Sequence, residues 1–412
     1  METSFSFRLR RYFYLPKDAW ILTSTSSIWS IGSATANPFQ YLYFAALGAS
    51  PFLIGLLVAY GTAVTILALL VGGYIADTWG RRRVIIIFSW VSVASALIYF
   101  LINSSELIIL PLTLASIASV YTPAFNSVMM DSIEPSDRIR GFSVFNAINT
   151  IPSAFVPTIG GLLMVQFGIL EGVRLAYLMS VIFGTIAITI RTLMLRETYP
   201  APPIDGGSIF SYIKESFISG LRATTKANTA VKKLLLYVTL VGIGTGLTSP
   251  FASLYVVKYL GVNPLSYSVV VDFAGITTVA LLVGVIFLIQ RIGAKKSVLI
   301  ASVAAPVSNV MFTQAKTMDE LLEWGVTGAV ATALQTPSLA TMQAETIPPS
   351  ERGKILAMFS VLPSLVSLPS QVAAGYMYTS ISPISPFLVS IVPFAIGASI
   401  LYSVRGNNGK QD

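Results

Sequence analysis

Apolar residues in this chain come in long blocks separated by short polar stretches. Six blocks lie near 20 to 47, 51 to 76, 84 to 102, 107 to 130, 142 to 168 and 174 to 195. After a polar stretch come six more, near 234 to 260, 265 to 290, 297 to 315, 321 to 344, 355 to 380 and 383 to 404. A helix rises about 1.5 Å per residue, so each block is about long enough to cross a hydrocarbon layer of roughly 30 Å. In lipid a spanning segment must satisfy its own backbone hydrogen bonds, which leaves helices as the reading of such blocks. The pattern therefore predicts an all-α membrane protein with twelve transmembrane helices. Composition supports it: 54% of the 412 residues are hydrophobic and 11% are charged, where a soluble domain carries roughly 25% charged residues. Mean hydropathy is +0.75.

The polar stretches carry the orientation. With the amino terminus in the cytoplasm, Lys and Arg divide as 4 in the amino-terminal tail, 3 after the second span, 2 after the fourth, 7 around the middle, 3 after the eighth, 2 after the tenth and 2 at the carboxyl terminus. Only Arg174, Lys258 and Lys316 of the 26 basic residues fall outside this set. Positive charge collects on the cytoplasmic side of membrane proteins, so both termini are expected there, in a multi-pass protein of the cell membrane. The net charge of +8 does not point to nucleic acid, because the cations are spread between spans and form no dense patch. The basic start (Arg8, Arg10, Arg11) leads into a full-length span, which argues against a cleavable signal peptide. The chain has no cysteine and no histidine. Disulfides, Cys or His metal sites and thiol or imidazole nucleophiles are thereby excluded, and neither an enzyme nor a cofactor is expected.

One polar turn is more specific. Between the second and third spans the chain reads Gly73-x-Ile75-Ala76-Asp77-x-x-Gly80-Arg81-Arg82. This resembles the signature loop between helices 2 and 3 of the major facilitator superfamily, a family consisting mostly of secondary transporters. The resemblance covers nearly the whole chain. It implies two six-helix bundles, residues 1–195 and 234–412, joined by a cytoplasmic linker at 196–233. It also implies a small-molecule substrate and a chain that works as a monomer in the lipid bilayer.

The two halves repeat each other at nearly constant offsets. Gly32, Pro38, Phe39, Leu42 and Tyr43 recur 212 residues later as Gly244, Pro250, Phe251, Leu254 and Tyr255. At 213, Leu47, Gly48, Pro51 and Gly80 recur as Leu260, Gly261, Pro264 and Gly293. At 214, residues including Thr122, Pro123, Pro135, Arg138 and Gly161 recur as Thr336, Pro337, Pro349, Arg352 and Gly375. Each half has an even number of helices, so the bundles insert in the same orientation and are related by a pseudo-two-fold axis along the membrane normal, as in major facilitator transporters. Duplicated halves make a substrate site between them natural. The linker carries Pro200, Pro202, Pro203, Gly206 and Gly207, followed by a mixed apolar and charged stretch from Ile209 to Arg222 read as one short surface helix.

The family pattern implies that Asp77 meets the start of the eleventh helix and nearby arginines when the cytoplasmic side is closed. A carboxylate is favoured at a helix amino terminus and beside guanidinium groups. The candidate cytoplasmic gate comprises Gly73, Asp77, Gly80, Arg81, Arg82, Asp131, Arg140, Glu345 and Arg352. Thr78 stands where the family commonly has arginine, and the second copy has Gln290 at the Asp77 position. The gate is expected to be asymmetric, built more on the first copy.

The same resemblance places helices 1, 4, 7 and 10 around the central cavity. Their polar residues Asn37, Gln40, Tyr41, Tyr121, Asn126, Thr248, Tyr255 and Gln335 are the candidate substrate contacts, because an amide or phenol facing lipid is costly. Each could equally be interhelical glue. Pro38, Pro123, Pro250 and Pro337 free backbone carbonyls at matching depths, so bends are expected there. Of these four spans only the seventh holds a basic residue, Lys258 close to its outer end, which argues against a strongly anionic substrate. Asp272 is the acidic residue set well inside a span, eight residues past Pro264 and so roughly 12 Å from that helix end. A carboxylate at that depth is a candidate proton carrier or partner for a cationic substrate. The alternatives are a wet outer vestibule or a pair with Lys258. Glu106, Glu320 and Glu323 sit close to helix ends and are read as solvated.

The fifth span carries Pro157-x-x-Gly160-Gly161, which resembles part of the helix 5 signature of drug and proton antiporters, with Val156 and Pro152 in place of expected glycines. The fragment favours efflux slightly over uptake. The sequence thus leads to a secondary transporter of a small neutral or cationic organic solute, with proton coupling and alternating access. The rivals are an uncoupled facilitator or uptake carrier for a sugar-like solute and, more remotely, a membrane-embedded receptor or enzyme.

Overall fold

A computed structural model describes residues 15–198 and 209–404. Arg8, Arg10 and Arg11, the linker positions Pro200, Pro202, Pro203, Gly206 and Gly207, and the basic residues of the carboxyl terminus lie outside the described residues. The described residues form helices throughout, in the order α1 (Lys17–Ala36), α2 (Gln40–Ala46), α3 (Pro51–Trp79), α4 (Arg81–Leu101), α5 (Ile109–Ala118), α6 (Tyr121–Ser132), α7 (Arg138–Ser153), α8 (Pro157–Phe167) and α9 (Ile169–Met194). The order continues with α10 (Ile209–Lys226), α11 (Thr229–Thr248), α12 (Ala252–Leu254), α13 (Pro264–Ile292), α14 (Ala294–Gln314), α15 (Met318–Thr346), α16 (Arg352–Ser380) and α17 (Ser385–Tyr402). Ten helical segments among the described residues are long and apolar enough to cross a membrane on those grounds alone. The more polar segments α1–α2 and α15 complete the twelve.

The duplication read from the sequence reappears in the backbone. Pro38 and Pro250 each sit in a short 3-10 turn, Asn37–Phe39 and Ser249–Phe251, because proline removes one helical hydrogen bond and crowds the preceding turn. Pro135 and Pro349 open matching 3-10 turns, Pro135–Asp137 and Pro349–Glu351. Among the described residues positive φ occurs only at glycines, and four of the five form two matched pairs: Gly48 (96°) with Gly261 (69°), and Gly80 (89°) with Gly293 (85°). Only glycine adopts such angles without strain, which explains why these turns kept it. Pro123 stands just beyond a break between α5 and α6, where Val120 reaches back three residues to the Ile117 carbonyl. Its mate Pro337 lies inside an unbroken α15. The expected bend therefore forms in the fourth span as an interruption and not as one in the tenth.

By their contacts the described residues fall into two compact units, 15–40 with 67–198 and 41–66 with 210–404. In the first, α9 packs on α1, α4 and α8, α1 on α7, and α4 on α5 and α6. In the second, α11 packs on α16 and α17, α17 on α14, and α15 on α13 and α14. Close approaches rely on missing side chains. A Cβ at Gly72 would lie 2.5 Å from the Val120 carbonyl oxygen, and one at Gly160 2.3 Å from that of Thr35. The amino-terminal part of α3 belongs to the second unit, where it crosses α16 at Gly55 and Gly375.

Candidate functional site

The arginine turn is built by Gly80. Its φ of 89° turns the chain sharply from α3 into α4. The Glu197 carboxylate then accepts from the Arg82 backbone N–H at 3.1 Å, placing negative charge at the α4 amino terminus. The Arg82 guanidinium donates to the carbonyls of Leu195 and Thr192, both at 2.7 Å, tying the turn to the end of α9. Arg81 pairs with Asp131 at the end of α6. Arg140 pairs with Asp137 at 2.9 Å. Arg138 and Arg352 do the same thing in their two halves: each guanidinium reaches back eight residues, to the carbonyls of Met130 and Ala344 at 3.2 Å. Asp77 is exposed and has no hydrogen bond or ion pair among the described residues. Gly73 is half-buried and Glu345 exposed. Of the gate residues, then, the structure joins Arg81 to Asp131 and locks Arg82 in place, and it leaves the Asp77 carboxylate on the surface.

The polar positions of the first, fourth, seventh and tenth spans fare differently from one another. Asn37 and Asn126 are exposed, and Gln40, Tyr41, Tyr121, Thr248 and Gln335 are half-buried. Gln40 donates to the Tyr99 hydroxyl at 3.4 Å, and Thr248 to the Gly244 carbonyl at 3.2 Å. Tyr121 lies edge-on to Phe125, with ring centroids 6.2 Å apart. Tyr255 is placed apart from these. It is 1% exposed, donates to the Thr313 carbonyl at 3.2 Å and packs against Tyr259, Phe312 and Phe387 with centroids 5.1–5.2 Å away. The π-helical turn Tyr255–Tyr259 carries this aromatic cluster, so Tyr255 sits in the packed core of the second unit. Asp272 lies within α13 and is 9% exposed. A carboxylate this buried is retained at a cost in desolvation, which makes it a functional candidate.

Two polar groups went unremarked in the sequence. Gln371 on α16 is buried and donates to the Thr62 hydroxyl on α3 at 3.2 Å. Arg191 was counted with the basic residues around the middle, yet its side chain is 5% exposed inside the first unit. Its guanidinium donates to the hydroxyls of Thr25 at 2.8 Å, Ser26 at 2.8 Å and Ser89 at 3.2 Å, and lies 5.6 Å from the Phe125 ring centroid. Its apolar flanks, Ile188, Leu193 and Met194, were the signal that this arginine stands on a spanning helix.

The family model for the Major Facilitator Superfamily matches residues 22–227 and 234–411. An uncharacterized MFS-type transporter of Bacillus subtilis, YqjV, is 24% identical over 313 residues, which are 72% of this chain and 70% of that protein. The multidrug resistance protein MdtL of Klebsiella pneumoniae is 30% identical over 173 residues, 40% of this chain and 42% of that protein. Among solved structures, the nucleoside transporter NupG superposes with a TM-score of 0.74 at 14% identity, covering 94% of this chain and 98% of that one, and this likeness concerns the fold. Twelve helical spans, a backbone that repeats itself at offsets of 212 to 214 residues and a match along nearly the whole length lead to one conclusion: the chain is a multi-pass membrane transporter that belongs to the Major Facilitator Superfamily.

Proposed function

We propose that this protein exports a small neutral or cationic organic solute from the cell by alternating access, drawing on a proton gradient through Asp272. The observation that carries the reading is a carboxylate held at 9% exposure within a spanning helix. Such a group can carry a proton across the low-dielectric part of the protein, or neutralise a cation there, and few other side chains in this chain can do either. The partial likeness to a multidrug resistance protein and the Pro157, Gly160 and Gly161 fragment support export over uptake. The polar residues of the first, fourth, seventh and tenth spans supply the solute contacts, chiefly Gln40, Tyr121 and Gln335, which are partly accessible.

The distribution of Lys and Arg supports a cytoplasmic arginine turn and cytoplasmic termini. On this reading Asp77 engages the start of α16 when the cytoplasmic side closes, and the halves 1–195 and 234–412 act as the moving bodies of a monomer. The test is in two stages. A thermal-shift screen of the purified protein against neutral and cationic solutes identifies ligands, because whatever binds the folded state raises its apparent stability. Cells expressing the protein should then accumulate less of the best ligand than control cells, and a protonophore should abolish the difference. Equal accumulation in both cell lines would reject export, and a difference that survives the protonophore would reject coupling.

A further inference from the structure

Arg191 is a buried cation that forms an ion pair with no carboxylate among the described residues. Its hydrogen-bond partners are three neutral hydroxyls, Thr25, Ser26 and Ser89, which engage three of the five guanidinium N–H groups. The Thr25 hydroxyl is itself committed to the Ile21 carbonyl at 2.6 Å. The residue stands in the last turn of α9, where the helix dipole contributes about half a negative charge and the Phe125 face adds a weak attraction. A full positive charge is therefore compensated only in part. Burying an ion costs several kcal/mol unless its charge is met, and pinning α9 to α1 and α4 could be done by a neutral amide.

The surroundings are graded. Thr25, Ser89 and Phe125 are buried, and Ser26 and Tyr121 are half-buried. The guanidinium thus sits among buried groups, Thr25, Ser89 and Phe125, and has two partly exposed hydroxyl-bearing side chains nearby, Ser26 on α1 as a hydrogen-bond acceptor and Tyr121 on α6 as an electrostatic neighbour. Both elements belong to spans expected to face the solute. We propose that Arg191, with Ser26 and Tyr121 beside it, is a binding site for an oxyanion. The planar fork of guanidinium N–H groups suits the two oxygens of a carboxylate, and the neighbouring hydroxyls add donors. The oxyanion is either the carboxylate of the transported solute or a free inorganic anion. In the first case the inference rests on the proposed transport activity, and the small neutral solute is a zwitterion.

The experiment uses the full-length protein in detergent and needs no transport assay, so it can fail independently of the transport reading. The apparent melting temperature is followed with benzoate, with its neutral isostere benzamide and with inorganic phosphate. Wild-type protein should be stabilised by benzoate and not by benzamide. Arg191→Gln should lower the apparent affinity for benzoate about tenfold or more, as expected when one partner of a desolvated charge pair is removed. Arg191→Lys, which keeps the charge and loses the fork, should retain a weakened response. Should Arg191→Gln fail to fold, Ser26→Ala and Tyr121→Phe, each removing one hydroxyl, serve in its place and should weaken benzoate binding severalfold. A larger response to benzoate than to phosphate assigns the site to a solute carboxylate, and the reverse assigns it to an inorganic anion. Equal responses to benzoate and benzamide, or benzoate binding unchanged in the variants, would overturn the site.

Discussion

The crossing of α3 with α16 offers a prediction whose size can be worked from the structure. A Cβ at Gly375 would lie 2.7 Å from the Pro51 carbonyl oxygen, 3.1 Å from the Phe52 Cα and 3.2 Å from the Gly55 Cα. One at Gly55 would lie 2.6 Å from the Gln371 carbonyl oxygen. All of these are backbone atoms, so no side-chain rotation relieves the clash. Restoring ordinary contact distances of about 3.5 Å requires the helices to part by roughly 0.8 Å. Overpacking of this kind costs about 1–3 kcal/mol, and the separation also strains the Gln371 to Thr62 hydrogen bond, 3.2 Å long. If residues 1–195 and 234–412 move as separate bodies, as proposed above, α3 and α16 must part here during transport, and Gly375→Ala should then shift the balance toward the parted state by about 5- to 150-fold. The chain has no cysteine, which makes the assay clean. A single Thr62→Cys should react slowly with N-ethylmaleimide in the parent and faster by that factor with Gly375→Ala added. Identical labelling rates, with an unchanged apparent melting temperature, would refute the argument that this contact is closed by backbone proximity.

Other outcomes follow from the turns and the charges. Gly293→Ala meets no neighbouring atom within 4 Å, so its cost is the strain of a backbone conformation (φ 85°, ψ 152°) that essentially only glycine adopts, about 1–3 kcal/mol. Gly160→Ala faces the Thr35 carbonyl at 2.3 Å and should lower the apparent melting temperature by more than Gly293→Ala does. Asp131→Asn removes the partner of Arg81 at a partly exposed site and should cost no more than about 1 kcal/mol, measured in the same way. Asp77→Asn should reduce transport while expression persists, because its proposed role appears only when the cytoplasmic side closes, and normal transport would remove Asp77 from the gate. For orientation, Ser104→Cys should react with an impermeant thiol reagent on intact cells and Gly207→Cys should not. The opposite labelling would invert the topology.

Much of the architecture could be read from the sequence because bilayer thickness sets a length scale that few other constraints share. Helix boundaries moved by a few residues where end groups decide them, as at Lys17, where the helix begins well before the apolar block. The repeat was legible for a related reason: Gly48 and Gly261, or Pro38 and Pro250, answer backbone demands that hold in both halves. Pro337 shows where that reasoning stops, since a proline can be carried inside a continuous helix without interrupting it. The polar side chains were harder. Tyr43 and Tyr255 recur at the same offset as cavity residues would, yet both are buried in packing, because a phenol can satisfy its hydroxyl on a nearby carbonyl and spend the rest of its surface on apolar contact. Arg191 was misplaced because an arginine near a helix end usually extends to the interface. Here hydroxyls on α1 and α4 draw it inward, and three-dimensional neighbours of that kind cannot be seen in a linear pattern.

The central claim is that Asp272 couples solute movement to protons. Full-length protein and the Asp272→Asn variant are reconstituted in proteoliposomes with the strongest ligand from the thermal-shift screen. Two activities are then compared: accumulation driven by an imposed pH gradient, and counterflow of labelled against unlabelled solute without a gradient. The variant should lose gradient-driven accumulation and keep counterflow. Gradient-driven accumulation as large in Asp272→Asn as in the wild type would contradict the coupling role.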